Sequence, residues 1–143
     1  MSKVTPYLCI KGAASALEFY HQAFGARETL RLTDPGGRIG HAEIRIGDAP
    51  LMLADEHPEF GILSAQTLGS SPVGIALEVD DVDAVVRQAV AAGAKLKRPV
   101  EDQFYGERSG QVEDPFGYVW HVSTRTEEIS PEEMQRRFLA LSG

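Results

Sequence analysis

"ALEFYHQAFGAR", residues 16–27, and "DAVVRQAVAAGAK", residues 83–95, follow one pattern: an amphipathic run, a glycine stop, an alanine and a basic residue. In the first run Leu17, Tyr20 and Phe24, with Ala13, Ala16 and Ala23, recur at the spacing of one helix face, and Gly25 supplies the C-terminal stop. In the second, Val82, Val85, Val86, Ala89 and Val90 follow the same periodicity, Asp80 or Asp81 is the candidate N-cap, and Gly93 is the stop.

The flanks repeat as well. Before the first helix stands the apolar run "PYLCI", and after it come "RETLRL", the turn "DPGGR", the alternating "IGHAEIRI", a turn at Gly47-Asp48 and "PLMLA". Before the second stands "VGIALEV", and after it come "KLKRPV", "ERSGQVE", the turn "DPFG" and "YVWHVST". Strand, helix and three strands therefore occur twice. The interval is too long for a solenoid repeat and suits a duplicated βαβββ module, hence an α+β fold. Module one is read as residues 1–54 and module two as 73–124. The connector 55–72 holds His57, Phe60 and Ile62 among turn-forming residues and is expected to act as a lid. The stretch 130–141 reads as a final helix, with Ser130 as N-cap, Pro131 in the first turn and Glu133 three residues on.

Composition narrows the function classes. A chain of 143 residues with 43% hydrophobic content suits one domain with a sizeable core. Its 21 acidic against 14 basic residues give a net charge of −7, which argues against nucleic acid and anionic membranes as partners. Cys9 is the single cysteine, so neither an internal disulfide nor a cysteine-built zinc site is expected. With no signal-like or membrane-spanning run, a cytoplasmic protein is expected.

The series "TPYL", "ALEFYHQAFGA", "GHAEIRIGD", "LMLADE", "FYGERSG" and "DPFGYVWHVST" extends over nearly the whole chain. In that order it resembles the vicinal oxygen chelate superfamily, which holds glyoxalase I, bleomycin-resistance proteins and extradiol dioxygenases, and within it the PhnB-like branch. The resemblance implies curved mixed sheets around a cavity, formed within a chain or across a homodimer, with helices on the outer face.

Alternation assigns the faces. Pro6, Leu8 and Ile10; Ala42, Ile44 and Ile46; Leu51 and Leu53; Val73, Ile75, Leu77 and Val79; and Tyr118, Trp120 and Val122 are expected to face the helices. The cavity side then receives Thr5, Tyr7, Cys9, His41, Glu43, Arg45, Met52, Gly74, Ala76, Glu78, Val119, His121 and Ser123. The resemblance implies four metal-ligand positions, which fall here on Thr5, Met52, Gly74 and His121. Only His121 among them is a common ligand, whereas a divalent ion of this kind needs several imidazole or carboxylate donors.

The sequence therefore points to a small-molecule binder without the metal quartet, and no cofactor is expected. Tyr7, His41, Arg45, Met52, Glu78, Tyr105, Arg108 and His121 are its candidate binding residues. Arg108 has two readings, as an anion clamp or as a partner of Glu113 or Glu78. The alternative function is a divalent-metal-dependent lyase or isomerase (zinc, nickel or manganese) with a rearranged site among His41, Glu43, Glu78, Glu113 and His121. Glu43 or Glu113 would then move the proton.

Overall fold

The computed structural model describes residues 1–142, the side chain of Ser142 excepted. Module one consists of β1 (Tyr7–Ile10), α1 (Ala13–Phe24), β2 (Arg27–Thr33), β3 (Ile39–Ile46) and β4 (Ala49–Asp55). A single 3-10 turn (Pro58–Phe60) and the short helix α2 (Ala65–Leu68) form the connector. Module two consists of β5 (Ile75–Glu78), α3 (Val82–Ala92), β6 (Lys95–Asp102), β7 (Glu107–Glu113) and β8 (Val119–Arg125), and α4 (Pro131–Ser142) ends the chain. Each module forms one four-stranded mixed sheet, in the orders β1-β4-β3-β2 and β5-β8-β7-β6. In each, the first strand lies parallel to the last and the other pairs are antiparallel.

The duplication extends to the turns. Asp34 Oδ1 accepts from the Arg38 N–H, and Asp114 Oδ1 from the Tyr118 N–H, so "DPGGR" and "DPFGY" close equivalent hairpins. Gly37 and Gly117 sit at φ of 92° and 93°, a region costly for a residue with a Cβ. The helix entries are set from strand ends. Asp55 at the end of β4 accepts from the N–H groups of Gly12, Ala13 and Ile39, while Thr124 on β8 accepts from the Val82 N–H.

Both sheets turn their apolar faces into one core, where α1 packs along α3. Leu8, Ile10, Ala42, Ile44, Leu51 and Leu53 of sheet one are buried there, as are Leu77, Val112, Trp120 and Val122 of sheet two. Phe24 and Trp120 pack with ring centroids 4.5 Å apart and planes tilted by 38°, joining the modules. At the same junction the buried Asp114 carboxylate accepts from Tyr20 Oη (2.6 Å), Trp120 Nε1 (3.0 Å) and the N–H groups of Phe116 (2.9 Å) and Tyr118 (3.0 Å). Burial pushes its carboxyl above the usual range, and the four donors pull against that shift.

Three expected core positions depart from the pattern. Pro6 is exposed, since β1 starts only at Tyr7. Val73 is 66% exposed, because Ser71 Oγ bonds the Val73 N–H and C=O and holds the chain in a turn before β5 begins. Val90 is 42% exposed, as the buried stripe of α3 follows Val82, Val86 and Ala89 up to the Gly93 stop. The final helix forms half of its capping box: the Glu133 N–H bonds Ser130 Oγ, while the Glu133 carboxylate pairs with Arg136 and Arg137 instead of returning to the Ser130 N–H. Its Met134, Phe138 and Leu141 remain largely exposed.

Candidate functional site

Because both helix-facing surfaces share one core, the opposite faces of the two sheets are turned outward. Strand register brings Tyr7, Met52 and Glu43 into one row across β1, β4 and β3. The equivalent row of module two holds Ala76, His121 and Gln111 across β5, β8 and β7. Met52 and His121 thus occupy corresponding places in the two sheets, as do Glu43 and Gln111.

Module one carries a hydrogen-bonded chain on this face. His41 Nε2 lies 2.8 Å from Glu43 Oε2, and His41 Nδ1 lies 2.7 Å from Tyr7 Oη. A carboxylate only accepts, so Nε2 carries the proton and Nδ1 accepts from the tyrosine hydroxyl. The Tyr7 and His41 rings meet edge to face at 5.4 Å. Beside them a cavity of about 380 Å³ is lined by Tyr7, Cys9, Ala54, Asp55, His57 and Ile62. Burial pushes the Cys9 thiol above its ordinary value, and the charges of Glu56 and Asp55 add to that, so it is not an activated nucleophile.

Module two answers with a simpler arrangement, in which Gln111 Nε2 lies 3.0 Å from His121 Nδ1. Gly74 lies against the same ring, where a Cβ would stand 3.1 Å from His121 Nε2. The four implied ligand positions therefore offer a hydroxyl, a thioether, no side chain and one imidazole already engaged by Gln111. They do not fit a divalent ion. The rearranged set is not assembled either: His41 and Glu43 lie on one sheet, and Glu78, Glu113 and His121 on the other. Among the described residues no group of three or more His, Cys, Asp or Glu is placed to hold a metal.

The remaining candidates separate. Arg108 is held by Asp83 on α3 through two bonds of 2.8 and 3.0 Å, with Asp102 at 3.4 Å, rather than by Glu113 or Glu78. Those bonds push its guanidinium upward and hold the Asp83 carboxyl below its usual range. Glu78 faces Arg125 at 3.8 Å, and Arg45 donates to the Asp48 carbonyl. Tyr105 packs against Phe104, which meets Phe138 of α4, so this aromatic pair buries a loop against the final helix. Glu113 lines a separate cavity of about 570 Å³ with Lys95, Lys97 and Val119.

The connector divides in two. Glu56 Oε1 accepts from the Ser64 N–H and the Thr67 hydroxyl, Ser64 and Ala65 are buried, and Gln66 donates to the Pro115 carbonyl. Residues 57–62 form a small loop closed by a His57–Ile62 bridge, and its two ends line the Tyr7 cavity. Sequence reading missed Gln111 and Asp55. The signal for Gln111 is positional, since it lies opposite His121 across an antiparallel pair.

The Glyoxalase/Bleomycin resistance protein/Dioxygenase superfamily profile matches residues 4–122. The chain belongs to this superfamily. An uncharacterized protein of Mycobacterium bovis is 39% identical over 135 residues, covering 92% of this chain and 89% of that protein. Protein PA1353 of Pseudomonas aeruginosa is similar in structure at a TM-score of 0.72 and 25% identity, over 89% of this chain and 100% of the other. The PhnB protein of Bacillus cereus shares the fold at a TM-score of 0.66 and 17% identity, over 86% and 99%. Within the superfamily fold, the outward sheet faces of the two halves differ chemically, with Met52 and Glu43 on one and His121 and Gln111 on the other. No helix among the described residues is long and apolar enough to cross a membrane.

Proposed function

We propose that the chain binds a small organic molecule on the outward face of its sheets, without a metal, and that a second copy closes the site. The observation that carries this reading is the Tyr7–His41–Glu43 chain, which ends at a 53% exposed tyrosine bordering an open cavity. Short polar chains of this kind orient a ligand when water is kept out. The cover is a homodimer. The four-residue strands β1 and β5 leave sheet edges open, and Tyr7, Leu32, Ile62 and Val73 expose apolar surface. The lone free Cys9 suits a reducing compartment such as the cytoplasm.

Light scattering combined with elemental analysis of the purified protein tests this. The expected result is a dimer holding no stoichiometric metal after exposure to zinc, nickel or manganese, and a His121→Ala variant with weakened ligand binding. A divalent ion bound one per site and lost on His121→Ala would overturn the metal-free reading and favour the metal-dependent lyase or isomerase.

A further inference from the structure

We infer that Tyr7, His41 and Glu43 form a proton relay that ionises an acidic hydroxyl, phenolic or enolic, of a molecule lodged in the cavity beside β1. The inference rests on the small-molecule reading above and names the ligand chemistry.

Direction in the relay follows from its geometry. Glu43 fixes the Nε2–H tautomer across 2.8 Å, which leaves the Nδ1 lone pair facing Tyr7 Oη at 2.7 Å. The tyrosine proton is thus committed inward, and the lone pairs of the exposed Tyr7 hydroxyl remain free to accept from a ligand in the cavity that Tyr7 borders. A ligand O–H is the complementary group. As its proton moves to Oη, the Tyr7 O–H bond breaks and that proton passes to Nδ1. The ligand is left as an oxyanion and His41 as an imidazolium, whose charge the Glu43 carboxylate balances. Nothing is oxidised or reduced, and the charges sum as before.

The walls agree with the ligand class. Cys9, Ala54 and Ile62 give apolar sides suited to a flat ring or short carbon frame. Asp55, the other carboxylate on the cavity, already accepts from three backbone N–H groups, which leaves it little capacity for a ligand hydroxyl.

4-Nitrophenol serves as the probe, because its anion is coloured and its neutral form is not. Mixed with the full-length protein below its own ionisation midpoint, it should bind with about a tenfold gain in its ionised fraction, one pKa unit. His41→Gln and Tyr7→Phe, checked for fold by circular dichroism, should bind it without that gain. Binding of the neutral phenol by the wild type, or an equal gain in the wild type and His41→Gln, overturns the relay and leaves the binding site standing. Absence of any binding, measured by calorimetry, overturns both.

Discussion

Replacing Asp114 by asparagine changes one buried atom and should loosen the joint between the modules. Oδ1 can keep the N–H groups of Phe116 and Tyr118, which hold the turn. The new amide nitrogen then faces Tyr20 Oη and Trp120 Nε1, formerly 2.6 and 3.0 Å from the carboxylate oxygen. The tyrosine hydroxyl can rotate and accept, but the indole N–H has no such freedom and meets a second donor. Losing a hydrogen bond to a charged group costs about 1.5–3 kcal/mol, and stranding a buried donor about 1–3 kcal/mol. Because the indole accounts for both, a sum of about 3 kcal/mol is expected. For a chain of this size that lowers the thermal midpoint by roughly 10 °C. Tyr20→Phe also loses a hydrogen bond to the carboxylate but strands no donor, so it should cost about 1.5 kcal/mol, the low end of that range. Denaturant titrations of both variants beside the wild type measure the two figures. An Asp114→Asn loss below about 1 kcal/mol would refute the view that its four donors require a carboxylate.

The clamp on α2 should depend on pH. The Ser64 N–H, then the Thr67 hydroxyl, hold the Glu56 carboxyl below its usual range. A depressed folded-state value means that the clamp is fully present above the ordinary glutamate range and is lost as pH falls through the lowered one. Hydrogen exchange over residues 64–69, corrected for intrinsic rates, should show protection declining only in acid, and Glu56→Gln should abolish that dependence. Gly74→Ala should leave stability nearly unchanged, since φ there is not positive, yet push on the His121 ring 3.1 Å away. Imidazole NMR resonances of His121 that stay in place would contradict that packing.

Most of the fold was legible because period and punctuation agree. The apolar stripes of α1 and α3 end at Gly25 and Gly93, and strand alternation separates Leu8, Ile10, Ala42 and Ile44 from Tyr7, His41 and Glu43. The failures fall at element ends, where local hydrogen bonds decide: Ser71 turns Val73 away from β5, and a helix stop leaves Val90 exposed. The sequence reads Arg108 as an anion clamp or as a partner of Glu113 or Glu78, whereas the structure pairs it with Asp83. That pairing depends on where α3 lies over β7, which no local pattern encodes.

The candidate site was legible by face but not by connection. Alternation put Tyr7, His41 and Glu43 on the same side of the sheet, but says nothing about which strands are neighbours. Only the order β1-β4-β3-β2, with Tyr7 and Glu43 both opposite Met52, brings His41 within reach of the tyrosine hydroxyl. The same registers explain why the halves diverge chemically although their backbones repeat. Where module one has Met52 beside Glu43, module two has His121 beside Gln111, a neutral amide that can donate to the ring but cannot balance an imidazolium. Proton storage therefore belongs to module one. Module two can offer His121 as a hydrogen-bonding wall, and the Gly74 gap leaves room for that ring to stand where a bulkier residue would displace it.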